Sequence, residues 1–168
     1  LLYVNRALED FPGHPKTLLL LKAKAVCCIG MGAEAQGDAV VDEIILNHSD
    51  KAGMAALYDV AKYYGQKKKD GKARFLYEYI IMNCLDNKLA MRVVRELAID
   101  VVKTGDDNAI VELKDFLAKY CDHRAIPVFW WTIAQNIKWT CEGKKHLDEA
   151  RVEMLSNWSL DELSIEGR

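Results

Sequence analysis

The hydrophobic residues of this chain recur with a helical period along its length. Phe75, Tyr79 and Met82, for example, are separated by four and three residues, a spacing that places side chains on one face of an α-helix. No segment alternates apolar and polar residues for long enough to predict a β-strand. The pattern therefore predicts an all-α chain of about nine helices, over residues 1–11, 15–31, 34–47, 52–66, 71–85, 89–103, 107–121, 126–141 and 145–156.

The predicted helices fall into pairs that repeat. Helix starts near His14, Lys51, Lys88 and Ala125 lie 37 residues apart. Stacking the segments at this spacing places small or apolar residues in shared columns: Ala39, Leu76, Leu113 and Ala150; Ile44, Ile81, Ala118 and Leu155; and, with Glu43 as a polar exception, Ile80, Leu117 and Met154. Because one helix pair cannot bury its apolar face alone, neighbouring pairs must stack. We expect a right-handed solenoid of antiparallel pairs, forming a single domain over residues 1–164.

Residues that start and stop helices lie near the predicted boundaries. Asp50, Asp70 and Asp106 occur where N-caps are expected, since a short acceptor side chain satisfies free N–H groups of the first turn. Pro15 and Pro127 are predicted in first turns, where the missing N–H costs nothing. These signals support helix pairs joined by short turns.

The turn between the first two predicted helices resembles that of the tetratricopeptide repeat, or TPR. Ala7 and Pro12 match that repeat's late alanine and terminal proline, and Leu18, Leu21 and Ala25 fall on its first-helix packing positions. The resemblance implies a TPR-like scaffold that uses its surface to bind other proteins.

The resemblance is specific over residues 3–32 and architectural over residues 51–158, where the spacing is 37 residues and the motif's own glycine and proline positions are absent. It implies that a peptide or partner helix binds the concave face, which is lined by the first helix of each pair. Most of the positions in this chain that match the family's groove positions are apolar. This favours an amphipathic helix as the partner, and not the C-terminal carboxylate that chaperone-binding TPR domains clamp. The predicted partner-binding residues are Tyr63, Tyr64, Asp100, Trp130 and Lys138. The alternative is that these side chains are inter-helix core.

A second resemblance is to TPR-like scaffold proteins of meiotic crossover formation. Its matches are short: residues 11–24, the stretch 85–89, and Trp131-Thr132-Ile133-Ala134 leading to residues 147–150. It implies a nuclear assembly platform in which this chain is a structural or spacer segment, and that is the alternative function.

Three bulky rings follow one another at Phe129, Trp130 and Trp131. Adjacent residues of a helix point about 100° apart, so these rings cannot all face one core. We expect at least one of them to be partly exposed or to meet a neighbouring chain, because Trp is a common anchor at interfaces.

Composition adds exclusions. The formal net charge of the 168 residues is −2, which gives no global reason to expect nucleic acid as a partner. No apolar run approaches the ~18 residues that span a bilayer, so we expect no membrane partner. The one charge cluster, Lys67–Lys69 between Gly65 and Gly71, is interpreted as a solvated turn, with a basic docking spot for an acidic partner as the alternative.

The sequence predicts no catalytic residue, cofactor or metal. The cysteines number five, an odd count, and lack metal-ligand spacing; we interpret them as reduced thiols of an intracellular protein, cytoplasmic or nuclear. Cys121 and His123 are neighbours, but no orienting acid can be assigned to them. Residues 165–168 match a protease recognition sequence used to remove tags. Because the chain also begins within a predicted helix, we expect a fragment of a longer protein.

Overall fold

The computed structural model describes residues 1–11, 13–84, 87–104, 107–121 and 125–136. These ranges contain eight α-helices and no strand, which confirms the all-α prediction. The helices are α1 (Leu2–Asp10), α2 (Thr17–Gly30), α3 (Glu34–Asn47), α4 (Lys51–Gln66), α5 (Asp70–Asn83), α6 (Asn87–Thr104), α7 (Asp107–Tyr120) and α8 (Ala125–Asn136). The predicted ninth helix and the end of the eighth lie outside the described residues.

The helices belong to two compact units, residues 1–86 and 87–168. In the first unit, α2 packs against α3 and α4 packs against α5, each pair being joined by a turn of three residues. Such short connections make antiparallel hairpins. We call α2 and α4 the first helices and α3 and α5 the second helices. The first helices pack against each other, α3 also packs against α4, and α1 packs against α2.

Local signals accompany the starts of three helices, α4, α5 and α8. The Asp50 side chain caps α4, because its Oδ1 accepts a 2.9 Å hydrogen bond from the backbone N–H of Gly53. Asp70 is instead the first residue of α5, where a carboxylate favours the positive end of the helix dipole. Pro127 lies in the first turn of α8, as predicted. Pro15 precedes the first turn of α2, which begins at Thr17.

The core of the first unit repeats with a period of 36 residues. Leu21, Ala25 and Cys28 of α2 are buried, and so are Leu57, Ala61 and Tyr64, which follow them by 36 positions in α4. The second helices repeat in the same way: buried Gly37, Val40, Val41 and Ile44 of α3 precede buried Ala73, Leu76, Tyr77 and Ile80 of α5. Fully burying a large aliphatic side chain contributes about 1.5–3 kcal/mol, so these columns stabilise the hairpins.

Within the first unit, this repeat length of 36 residues corrects the uniform spacing of 37 that was predicted from the sequence. Ala39 and Glu43, which that spacing assigns to core columns, are exposed. A slip of one residue rotates a position by about 100° around a helix, which is enough to exchange core for surface. At a spacing of 36, Glu43 aligns with the half-buried Tyr79. The glutamate is then no longer assigned to a core column.

In the second unit, α6 packs against α7 and α8, and α7 packs against α8. Its largest fully buried side chains are Leu97, Leu113, Leu117, Phe129 and Ile133. The burial pattern of α4 continues in α6 at a spacing of 37 residues, since Leu57 and Ala61 align with buried Val94 and Ala98. That of α6 continues in α8 at a spacing of 36, which aligns Val94 with buried Trp130.

Candidate partner-binding face

One face of the first helices is left open in the first unit. On α2 it consists of Leu19, Ala23, Val26, Cys27 and Gly30, which a helix brings onto one side by their spacing. The residues 36 positions later, Ala55, Asp59, Lys62, Tyr63 and Gln66, form the same side of α4. None of these ten residues is buried. We call this surface the first-helix face.

Two contacts join the α2 and α4 parts of the face. The Lys22 ammonium Nζ lies 2.7 Å from Oδ2 of Asp59. The Tyr63 hydroxyl lies against Gly30, only 2.8 Å from the place where a Cβ would be. A larger residue at position 30 would push this ring away, so the glycine lets α4 lay its tyrosine over the end of α2. The two helices therefore present one continuous surface.

The face is apolar at one end and basic at the other. Leu19 is 55% exposed, and Val26 beyond it is half-buried. Around the Tyr63 ring, the ammonium of Lys67 lies 5.5 Å from the ring centroid, within the range of a cation–π contact. Aromatic side chains of this kind offer rigid contact area at low entropic cost.

The formal charge of the first helices differs from that of α3. The lysines of α2 and α4 are Lys22, Lys24, Lys51 and Lys62, against a single acid, Asp59, which gives a formal charge of +3. By contrast, α3 carries Glu34, Asp38, Asp42 and Glu43 and no basic residue, a formal charge of −4, and α5 has two acidic and two basic residues, with no net formal charge. The two helices that carry the first-helix face are thus the basic ones of this unit.

A polar network behind the face holds the two hairpins together. Tyr64 is buried in α4, and its hydroxyl donates a 2.6 Å hydrogen bond to Asp38 of α3. Lys72 of α5 donates to both oxygens of the same carboxylate, at 2.9 and 2.6 Å. Lys69 makes a 2.6 Å ion pair with Glu34. The network thus links α3, α4 and α5.

The network shifts the pKa values of its members. The pKa of Glu34 is lowered chiefly by its hydrogen bond to Lys69. Burial acts to raise the pKa of Asp38, but the hydrogen bonds from Lys72 and Tyr64 outweigh it and hold this pKa below its ordinary value. The pKa of Tyr64 is raised, first by burial and then by the bond to Asp38. The pKa of Lys72 is raised chiefly by its own hydrogen bonds to Asp38.

The basic turn predicted from the sequence joins α4 to α5. Lys69 and Lys72 are both paired with Glu34, and Lys68 has a positive φ of 58°. All three residues of the turn, 67–69, are exposed. The structure thus gives Lys69 of this cluster, together with Lys72 of α5, a role in linking α3 to α5.

The predicted partner-binding residues lie in different environments. Tyr63 is on the first-helix face, whereas Tyr64 and Trp130 are buried. Tyr64 lies in the core column of Cys28, and Trp130 aligns with the buried Val94. Asp100 lies half-buried on α6, in the second unit. Lys138 lies outside the described residues.

Sequence reasoning did not identify the pairing of Lys22 with Asp59 or the role of Gly30. The sequence does contain a signal for the ion pair, because the two residues have opposite charges and lie 37 positions apart, close to the repeat length. The exposure of Trp131, 53% beside buried Phe129 and Trp130, confirms that the three adjacent rings cannot share one core.

No cluster of three or more His, Cys, Asp or Glu side chains among the described residues could hold a metal ion. None of the described helices is long and apolar enough to cross a membrane.

Comparisons with known proteins leave the family open. No family model, no curated protein and no solved structure matches the chain. The TPR-like and meiotic resemblances therefore stay hypotheses based on the residues named above.

Proposed function

We propose that this chain is a TPR-like interaction scaffold and that the first-helix face of its first unit binds a segment of another protein. The observation that carries the proposal is the continuity of this face across α2 and α4, from the exposed Leu19 to the Tyr63 ring beside Gly30. An elongated, partly apolar surface suits an amphipathic helix or an extended peptide.

The formal charge of α2 and α4 indicates which kind of partner segment would bind the face. The first helices carry a formal charge of +3 with Asp59 already paired to Lys22. Complementary charge speeds association and disfavours basic partners. We therefore propose an acidic amphipathic segment, with apolar side chains over Leu19 and Val26 and carboxylates near Lys62 and Lys67.

The test compares surface variants in a crosslinking pull-down from the source cell, followed by titration of the recovered partner against purified protein. Leu19→Asp places a charge on the apolar end of the face without touching the core. Leu46→Asp is the matched control, because Leu46 is 79% exposed but lies on α3. Circular dichroism of both variants checks that they are folded.

We expect Leu19→Asp to lose the partner and Leu46→Asp to retain it. Tyr63→Ala should weaken binding by about 1–2 kcal/mol, as truncation of an interfacial aromatic commonly does. A partner that both surface variants bind with unchanged affinity would exclude this face. A folded chain that captures nothing would favour the spacer function.

A further inference from the structure

The helix α1 has the pattern of a second helix. Counting back 36 residues from α3 aligns Val4 with Val40 and Leu8 with Ile44. Val40 and Ile44 are buried, and so are the next equivalents in α5, Leu76 and Ile80. In α1, however, Val4 and Leu8 are only half-buried, and no residue of the helix is buried.

The helix α2 shows the same deficit at the same place. Leu20 and Lys24 are half-buried, whereas their equivalents in α4, Ala56 and Val60, are buried. The difference has a cause in the packing, because α4 lies against a preceding first helix, α2. Among the described helices, α2 packs chiefly against α1, α3 and α4. None of these occupies the place of a preceding first helix.

Val4 and Leu8 of α1 together with Leu20 and Lys24 of α2 therefore form a half-open surface, which we call the α1–α2 groove. One polar side-chain atom of α1 is also unpaired among the described residues. The Asn5 side-chain oxygen is shielded from solvent and has no hydrogen-bond partner among the described residues. Leaving a buried acceptor unpaired costs about 1–3 kcal/mol.

We propose that the α1–α2 groove receives a further amphipathic helix of the first-helix type, joined to α1 in the same polypeptide. The groove continues the interfaces of α2 with α3 and of α4 with α5, displaced by one repeat. In both of those hairpins, the first helix precedes the second by a turn of three residues. The docked helix carries large apolar residues and a small residue in the pattern of Leu21 and Ala25. This inference depends on the repeat and not on the partner-binding face.

The test adds such a helix at the spacing that the repeat dictates. Because Leu1 aligns with Gly37, a copy of residues 14–36 fused directly before Leu1 reproduces the path from α2 into α3. The matched control carries Leu21→Asp and Ala25→Asp in the fused copy only. Hydrogen exchange of the α1 amides, read by mass spectrometry, is compared among the unfused chain, the fusion and the control.

We expect exchange in α1 to slow by at least about tenfold in the fusion, because a packed helix opens less often than a frayed one. The control should exchange like the unfused chain. Leu8→Asp in the fusion should abolish the protection, whereas Leu2→Asp, on the 77% exposed side of α1, should retain it. Equal exchange in the fusion and its control would overturn the proposal.

Sedimentation velocity of the unfused chain tests whether a second copy of this chain occupies the groove instead. A monomer over the concentration range supports a helix in the same polypeptide. A dimer that Leu8→Asp dissociates and Leu2→Asp preserves would assign the groove to a second copy and overturn the proposal.

Discussion

The hydroxyl of the buried Tyr64 donates a 2.6 Å hydrogen bond to Asp38, and Lys72, from the same hairpin as Tyr64, binds the same carboxylate. Tyr64 belongs to α4 and Asp38 to α3, so the bond joins the second hairpin to the first. The ammonium of Lys72 also lies 5.6 Å from the centroid of the Tyr64 ring. One side chain thus contributes to the core through its ring and to an ionic network through its oxygen.

Tyr64→Phe should keep the core and lose the bond. We expect destabilisation of about 1–2 kcal/mol, since the acceptor is charged but partly exposed, whereas Tyr64→Ala should cost about 3–5 kcal/mol through the cavity it leaves. Urea denaturation measures both. Tyr79→Phe, which changes a half-buried hydroxyl of α5, serves as the control. A Tyr64→Phe protein as stable as the parent would show that the bond contributes nothing.

The network should make the first unit sensitive to acid. The folded pKa values of Glu34 and Asp38 lie below their ordinary values of 4.5 and 3.8. Their contribution to stability is present above those ordinary values and is lost as the pH falls through the lower, folded ones. The urea midpoint should therefore fall on acidification, and more steeply in the parent than in Glu34→Gln/Asp38→Asn.

The control for acid sensitivity is Asp42→Asn/Glu43→Gln, which removes the same charge from exposed positions of α3. It should retain most of the parent's acid slope. Equal slopes for the two double variants would mean that general charge, and not the Lys69 and Lys72 network, sets the dependence.

The ion pair between Lys22 and Asp59 should couple α2 to α4 weakly. The two side chains are 30% and 51% exposed, so a double-mutant cycle with Lys22→Met and Asp59→Asn should give about 0.2–1 kcal/mol. The coupling should shrink at high salt. The same cycle on Arg6 and Asp10, which are more exposed within α1, should give less. A coupling that salt leaves unchanged would argue against a direct ionic contact.

Two glycines of α4 should respond to alanine with opposite signs. A Cβ at Gly53 would overlap the backbone carbonyl of His48, so Gly53→Ala should displace the turn and weaken the Asp50 cap, at about 1–3 kcal/mol. A Cβ at Gly65 would meet no atom of the described residues outside its own helix within 4 Å, so Gly65→Ala should stabilise by up to about 1 kcal/mol through helix propensity. Thermal denaturation gives the melting temperatures of the two variants. If both melting temperatures shifted in the same direction, the packing described around Gly53 and Gly65 would be wrong.

The adjacent tryptophans of α8 should differ sharply. Trp130 is buried and Trp131 is 53% exposed. We expect Trp130→Ala to cost about 3–5 kcal/mol and Trp131→Ala to change stability by less than about 1 kcal/mol. Trp131→Ala should remove more of the red-shifted, quenchable fluorescence of the parent than Trp130→Ala does. Similar losses of stability would place both rings in the core.

The sequence by itself determined which segments are helices. Periodicity, the Asp50 cap and the short turns are local properties, because each depends on neighbours within a few residues along the chain. The bounds of α3 were predicted to the residue, and those of α2 and α5 to within two residues. The same reasoning anticipated that one of three adjacent rings would be exposed.

Only the tertiary structure decided which residues face the core and which face solvent. Tyr63 and Tyr64 are adjacent and chemically alike, yet one lies on the surface over Gly30 and the other is buried against Asp38. A repeat length of 36 or 37 produces nearly the same helix boundaries but rotates every aligned position by about 100°. Packing between helices selects the register, because it depends on side chains far apart in the chain, which local periodicity does not identify.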